Sequence, residues 1–191
     1  MNAFLVSAGA IALGEMGDKT QLLAIVLAAR YRRPALIISA ILIATLINHA
    51  IAGLVGQGIT LLMGPAVLRW VIGISFLVMA VWVLVPDRLN EKSAGRPRPG
   101  YGVFCTTMIA FFIAEMGDKT QIATVALTAH YSDVLMVVTG TTAGMMLANI
   151  PAVLVGGAMA HKMPMRFMHA MAALIFAVLG LLTLLNVGQL F

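Results

Sequence analysis

Glu15–Gln21 reads EMGDKTQ, and the same seven letters return at Glu115–Gln121. Each copy sets two carboxylates and a lysine into a stretch that is otherwise apolar. An ionised carboxylate at the middle of a bilayer costs at least ~2.5–3.5 kcal/mol on insertion scales. A chain that carries this cost twice, 100 residues apart, has a reason to keep its charges together.

The rest of the composition says what surrounds them. Of 191 residues, 61% are hydrophobic and 10% charged, and the mean hydropathy is +1.01. Soluble domains carry roughly a quarter charged residues, so the fold class expected is all-α integral membrane. The net charge of +5 is better explained by loop arginines facing the cytoplasm than by nucleic acid. A single cysteine, Cys105, excludes an intramolecular disulfide and any multi-cysteine metal cluster. The first twenty residues lack a basic region before their apolar run, so they are expected to form a retained helix and not a signal peptide.

Crossing the hydrocarbon takes about 20 apolar residues. Six segments qualify: 3–29, 34–58, 66–85, 102–129, 133–159 and 167–188. Pro34, Pro65 and Pro164 sit near helix starts, where the missing N–H costs little. Residues 86–101 form the one long polar stretch and divide a first repeat, 1–85, from a second, 102–191. A shift of 100 pairs Phe4 with Phe104, Leu27 with Leu127, Tyr31 with Tyr131, Met63 with Met163 and Phe76 with Phe176 without a gap. Outside the motifs, Arg30, Arg32, Arg33, Arg88, Lys92, Arg96, Arg98, Lys162 and Arg166 fall on one side and Arg69 on the other. The basic side is expected to be cytoplasmic and both termini outside. Three helices per repeat is an odd number, so the second copy is expected to enter upside down. The architecture expected is therefore six transmembrane helices in a 3+3 inverted-topology repeat, with its site near the midplane.

An inverted repeat maps only the midplane onto itself, so the two motifs can face one another there. On a continuous helix Glu15 and Asp18 would share a face, as would Glu115 and Asp118. Four carboxylates against Lys19 and Lys119 leave −2, which one divalent cation or two protons would cancel. Crowding like charges away from water makes proton uptake a natural competitor of metal binding. Gly17 and Gly117 weaken the helix between the acids and are candidate hinges, where unwound carbonyls would add ligands. Thr20, Gln21, Thr120 and Gln121 supply further oxygens, and an all-oxygen set suits Ca2+, Mn2+ or Mg2+ better than zinc or Cu(I). A plain intrahelical Glu–Lys pair is the bland alternative; two identical copies at symmetric depth argue against it. His49 and its repeat-equivalent Asn149 are candidate supporting ligands or simple interhelical hydrogen bonds. His130, His161 and His169 lie near helix ends and read as interfacial. The scattered methionines read as packing, and Gly53, Gly56, Gly140, Gly144, Gly156 and Gly157 as close helix contacts.

Two E-φ-G-D-[KR]-[TS] motifs, one in the first helix of each three-helix half, resemble the Ca2+/Mn2+–proton antiporter family, which includes Golgi manganese and calcium transporters and bacterial manganese exporters. The resemblance covers essentially the whole chain. Glu15, Gly17, Asp18, Lys19 and Thr20 match the first motif, and Glu115, Gly117, Asp118, Lys119 and Thr120 the second. It implies cation export against inward proton flow, with Glu15, Asp18, Glu115 and Asp118 as the cation and proton site. Mn2+ or Ca2+ would be transported substrate, with no prosthetic group, no nucleic acid partner and no catalytic reaction. Eukaryotic members tend to carry an N-terminal extension and an acidic linker; their lack here favours a multi-pass protein of the bacterial inner membrane and manganese over calcium. Alternatives are an exporter of a cationic organic solute such as a basic amino acid, a passive channel, and an intramembrane aspartyl protease, whose dyad the neighbouring Lys and Glu would spoil.

Overall fold

The computed structural model describes residues 2–85, 102–155 and 165–186. The expected linker at 86–101, Pro164, His161, Gly156 and Gly157 lie outside the described residues. Among the described residues eight helices follow in chain order: α1 Ala3–Glu15, α2 Lys19–Tyr31, α3 Pro34–Leu62, α4 Pro65–Trp82, α5 Val103–Glu115, α6 Lys119–Tyr131, α7 Val134–Val155 and α8 Met165–Leu184.

Four of these helices are long and apolar enough to cross a membrane: Pro34–Leu62, Pro65–Trp82, Val134–Leu154 and Arg166–Leu184. Pro34 and Pro65 open α3 and α4 at their first turns, where the ring fits without losing a hydrogen bond. The segments expected as continuous helices over 3–29 and 102–129 are instead split. Each becomes two 13-residue helices flanking a short non-helical break at the motif. Thirteen residues rise only about 20 Å, less than the ~30 Å hydrocarbon thickness. Neither half-helix is long enough alone, so each break falls inside its segment and far from both ends.

The cause is local. Gly17 takes φ +84 and Gly117 φ +73, a left-handed backbone that glycine adopts without a Cβ clash. Flanking it, Met16 and Asp18 are extended, as are Met116 and Asp118. α2 and α6 then end alike, on Arg32 and Ser132 in the left-handed region, whose N–H groups bond Ala28 O at 3.0 Å and Thr128 O at 2.8 Å.

The two halves interlock. α1 and α2 pack on α7, while their repeat-equivalents α5 and α6 pack on α3; α3 also meets α7, and α4 meets α8. Each broken pair therefore rests on the long helix of the other half. Glycines make the approach close. A Cβ on Gly144 of α7 would strike Ala8 O of α1, one on Gly140 would lie 2.6 Å from Phe4 O, and one on Gly56 of α3 would lie 2.5 Å from Val125 O of α6. The close contacts expected at Gly53, Gly56, Gly140 and Gly144 are present. The outward faces of the long helices carry Leu46, Ile47, Leu54, Trp70 and Leu174, all exposed.

Backbone blocks Gly144, whereas a Cβ on Gly58 of the same bundle meets nothing within 4 Å. Gly144→Val is expected to destabilise by roughly 2 kcal/mol or more through overpacking, while Gly58→Ala stays neutral or gains a few tenths. Thermal melts in detergent test this; equal midpoints for both variants would mean the α1–α7 seam is not held by close backbone approach.

Candidate cation site at two helix breaks

Glu15 is the last residue of α1 and Asp18 the residue before α2 begins, so the pair flanks the break and does not share a helix face. The expectation drawn from a continuous helix is corrected on this point, and likewise for Glu115 and Asp118. The break still draws the acids together: Asp18 N bonds Glu15 O at 3.1 Å, and Asp118 N bonds Glu115 O at 3.2 Å.

The remaining motif residues hold this shape. Gln21 Oε1 accepts from Gly17 N at 2.8 Å, and Gln121 Oε1 from Gly117 N at 2.8 Å, so each glutamine satisfies an N–H that the helix has released. Gln21 Nε2 also donates to Ala148 O at 2.9 Å, tying the first break to α7. Thr20 Oγ1 donates to Glu15 Oε2 at 2.8 Å, and Thr120 Oγ1 to Glu115 Oε2 at 3.0 Å. These four side chains orient carboxylates and brace backbone; the side-chain oxygens of both glutamines are already committed.

Charge is exchanged between the halves. Lys19 Nζ lies 2.9 Å from Asp118 Oδ1, and Lys119 Nζ lies 3.3 Å from Asp18 Oδ1. Each lysine thus serves the aspartate of the other repeat. The two are not equally placed: the Lys119 side chain is 1% exposed and that of Lys19 25%.

Ligand oxygens of Glu15, Asp18 and Asp118 all lie within 4.8 Å of one another. Three oxygens no more than 4.8 Å apart lie within about 2.8 Å of a common point, close to the 2.3–2.6 Å of a Ca2+–oxygen bond, so small side-chain shifts would let one hard cation touch all three. Glu115, equally buried, stands outside this group. Glu15 Oε1, Glu115 Oε1 and Asp118 Oδ2 are buried and accept no hydrogen bond among the described residues. Beside Glu15, Lys119 and Thr120 lies a cavity of about 10 Å³, otherwise walled by apolar groups including Ile11, Met79 and Phe176. It has room for about one water molecule.

His49 is buried, with neither ring nitrogen hydrogen-bonded among the described residues. Asn149 Nδ2 turns back on its own helix, donating to Met145 O at 3.0 Å. No hydrogen bond joins either residue to the carboxylates among the described residues. Two histidines expected at the interface are inside instead. His169 on α8 has Nε2 2.8 Å from Met16 O, at the first break. A carbonyl only accepts, so Nε2 carries the hydrogen there. His130 packs edge-on to Phe76 and Tyr131, with Nδ1 3.1 Å from Thr183 Oγ1. Asn48, beside His49, donates through Nδ2 to Phe112 O of α5 at 3.1 Å. Nothing periodic marks His169 or Asn48 in the sequence. Each acts on a backbone carbonyl brought near only by the packing of another helix.

The family model described as "Divalent cation/proton antiporter GDT1" matches residues 3–91 and 103–189. A Vibrio cholerae protein named "Putative manganese exporter" is 47% identical over 184 residues, covering 96% of this chain and 90% of its own length. A Synechocystis GDT1-like protein, sll0615, is 27% identical over 92% of this chain and 93% of its own. GDT1-like protein 3 of Oryza sativa subsp. indica is 27% identical over 92% and 71%. No solved structure matches the chain. With both motif-bearing halves inside the matched residues, the chain belongs to the GDT1 family of divalent cation/proton antiporters, which are transporters and not enzymes.

Proposed function

We propose that this transporter exports Mn2+ from the cytoplasm in exchange for protons, with Ca2+ as the second cation its oxygen ligands accommodate. Glu15, Asp18 and Asp118 hold the cation, and Glu115 carries charge beside them. Thr20 and Thr120 orient the glutamates, Gln21 and Gln121 brace the breaks, and Lys19 and Lys119 balance charge. Gly17 and Gly117 are the hinges. The observation that carries this reading is the set of three carboxylates with oxygens within 4.8 Å of one another, in which Glu15 Oε1 and Asp118 Oδ2 are buried and accept no hydrogen bond among the described residues. Buried carboxylate oxygens left in this condition need a cation or a proton. Four acids and two lysines leave −2, a deficit that one divalent ion or two protons cancel.

Six spans in a 3+3 inverted repeat, 1–85 and 102–191 around a cytoplasmic linker at 86–101, remain the architecture proposed, with both termini outside. The basic bias of the loops supports the orientation, and the exchanged packing of the halves supports a two-fold relation between them. Placement in a bacterial inner membrane and the choice of manganese draw on the Vibrio cholerae relative's name. A cavity of about 10 Å³ beside the acids favours an ion over a basic amino acid, since pockets for small organic molecules are of the order of 300 Å³ or more.

Proteoliposomes with an imposed pH gradient test the reading. Proton-driven Mn2+ flux is expected in the wild type and a loss of at least roughly 100-fold in Glu15→Gln and in Asp118→Asn, since removing one of three charged ligands forfeits several kcal/mol at low dielectric. Full flux in both variants would leave the twin motifs as a buried scaffold and sink the proposal.

A further inference from the structure

The unequal burial of the two lysines bears on how the site empties and fills. Two of the three carboxylates that would hold the cation, Asp18 and Asp118, already have a lysine ammonium on one oxygen. A divalent ion entering among Glu15, Asp18 and Asp118 meets these ammonium groups at van der Waals range and repels them. Lys119 is 1% exposed and enclosed by protein beside a cavity the size of one water molecule, so any retreat keeps it inside the protein. Lys19 is 25% exposed. Its partner Asp118 adjoins Met116, 59% exposed, and Gly117, also exposed. Unwound backbone and an ammonium group cannot face hydrocarbon without a large penalty, so the surface at Lys19 and Gly117 must line water. The first break is less exposed: Met16 and Gly17 are half-buried, and Met16 O is bonded by His169.

We infer that Lys19 is a built-in competitor for the transported cation. Its ammonium occupies Asp118 while the site is empty of metal and swings into the adjoining water when a divalent ion takes that carboxylate. The inference rests on the cation-site reading above and adds a specific consequence to it. An empty site never stands with an unneutralised Asp118, and the lysine's return helps to expel the ion. Lys119 stays with Asp18 throughout this half of the cycle. A lysine with a purely structural role would weaken metal binding when removed; a competitor does the opposite.

Mn2+ binding to the purified protein in detergent, followed by the electron paramagnetic resonance of free Mn2+, separates these cases. Lys19→Gln is expected to bind Mn2+ roughly ten-fold or more tightly than wild type, because a unit positive charge a few ångströms away is gone. Its KM for transport should fall together with its turnover, and Lys19→Arg should not bind more tightly than wild type. Unchanged or weaker binding by Lys19→Gln, alongside binding destroyed by Glu15→Gln, would overturn the competitor and leave the site standing. Wild-type affinity in Glu15→Gln would instead remove the cation-site reading, and this inference with it. A second measurement needs no variant: acylation of Lys19 by a water-soluble amine reagent, read by mass spectrometry. It is expected to rise several-fold at saturating Mn2+ while Lys119 stays unlabelled. Lys19 labelling that stays level or falls contradicts the displacement.

Discussion

The crossed ion pairs are what the rest of the structure serves. Lys19 reaches Asp118 and Lys119 reaches Asp18, so each repeat's lysine serves the aspartate of the other. An isolated buried charge is strongly unfavourable unless paired, and the pairing here demands that both breaks sit side by side. The interlocked packing supplies that placement: each broken helix pair lies on the long helix of the opposite half, with glycines at the seam allowing backbone contact. The duplication is thus functional in a physical sense. One half alone would hold acids and a lysine without the partner that makes them tolerable.

The broken helices solve a second problem. A continuous helix would fix Glu15 and Asp18 a turn apart, with every backbone group consumed internally. Ending α1 at Glu15 and restarting at Lys19 puts the C-terminal end of one helix and the N-terminal end of the next at the same depth. The partial negative charge of the first end favours a cation, and the partial positive charge of the second favours the aspartate. Gln21 and His169 satisfy backbone groups freed by the break, and Gln121 repeats the first of these services in the other half. The halves differ at this point: Met16 O is bonded by His169, whereas Met116 is exposed.

Much of this was legible in the residues. The doubled EMGDKTQ, its apolar setting and the 100-residue register pointed to two motifs meeting at one depth in one shared site, and Gly17 and Gly117 pointed to unwinding there. What could not be read was how the unwinding redistributes roles. Asp18 left the helix, so a spacing rule for helix faces no longer applied, and Gln21 went to its own backbone instead of toward a ligand position. Glu115, in a motif identical to that of Glu15, falls outside the close group, a difference between the copies that an exact sequence repeat cannot record. His169, ordinary at a helix start, became part of the first break only through the docking of α8 on α1. Partnerships of this kind depend on contacts across 153 positions of chain, and no local pattern encodes them.

The central claim is that one set of carboxylates holds either a divalent cation or protons. Titrating Mn2+ into the purified protein in weakly buffered detergent solution, with the pH followed directly, tests it without a membrane or a gradient. The account predicts that protons leave as the metal binds, and that the number released falls in Glu15→Gln together with the binding. Saturable Mn2+ binding with no proton released at any starting pH at which the protein stays folded would contradict it.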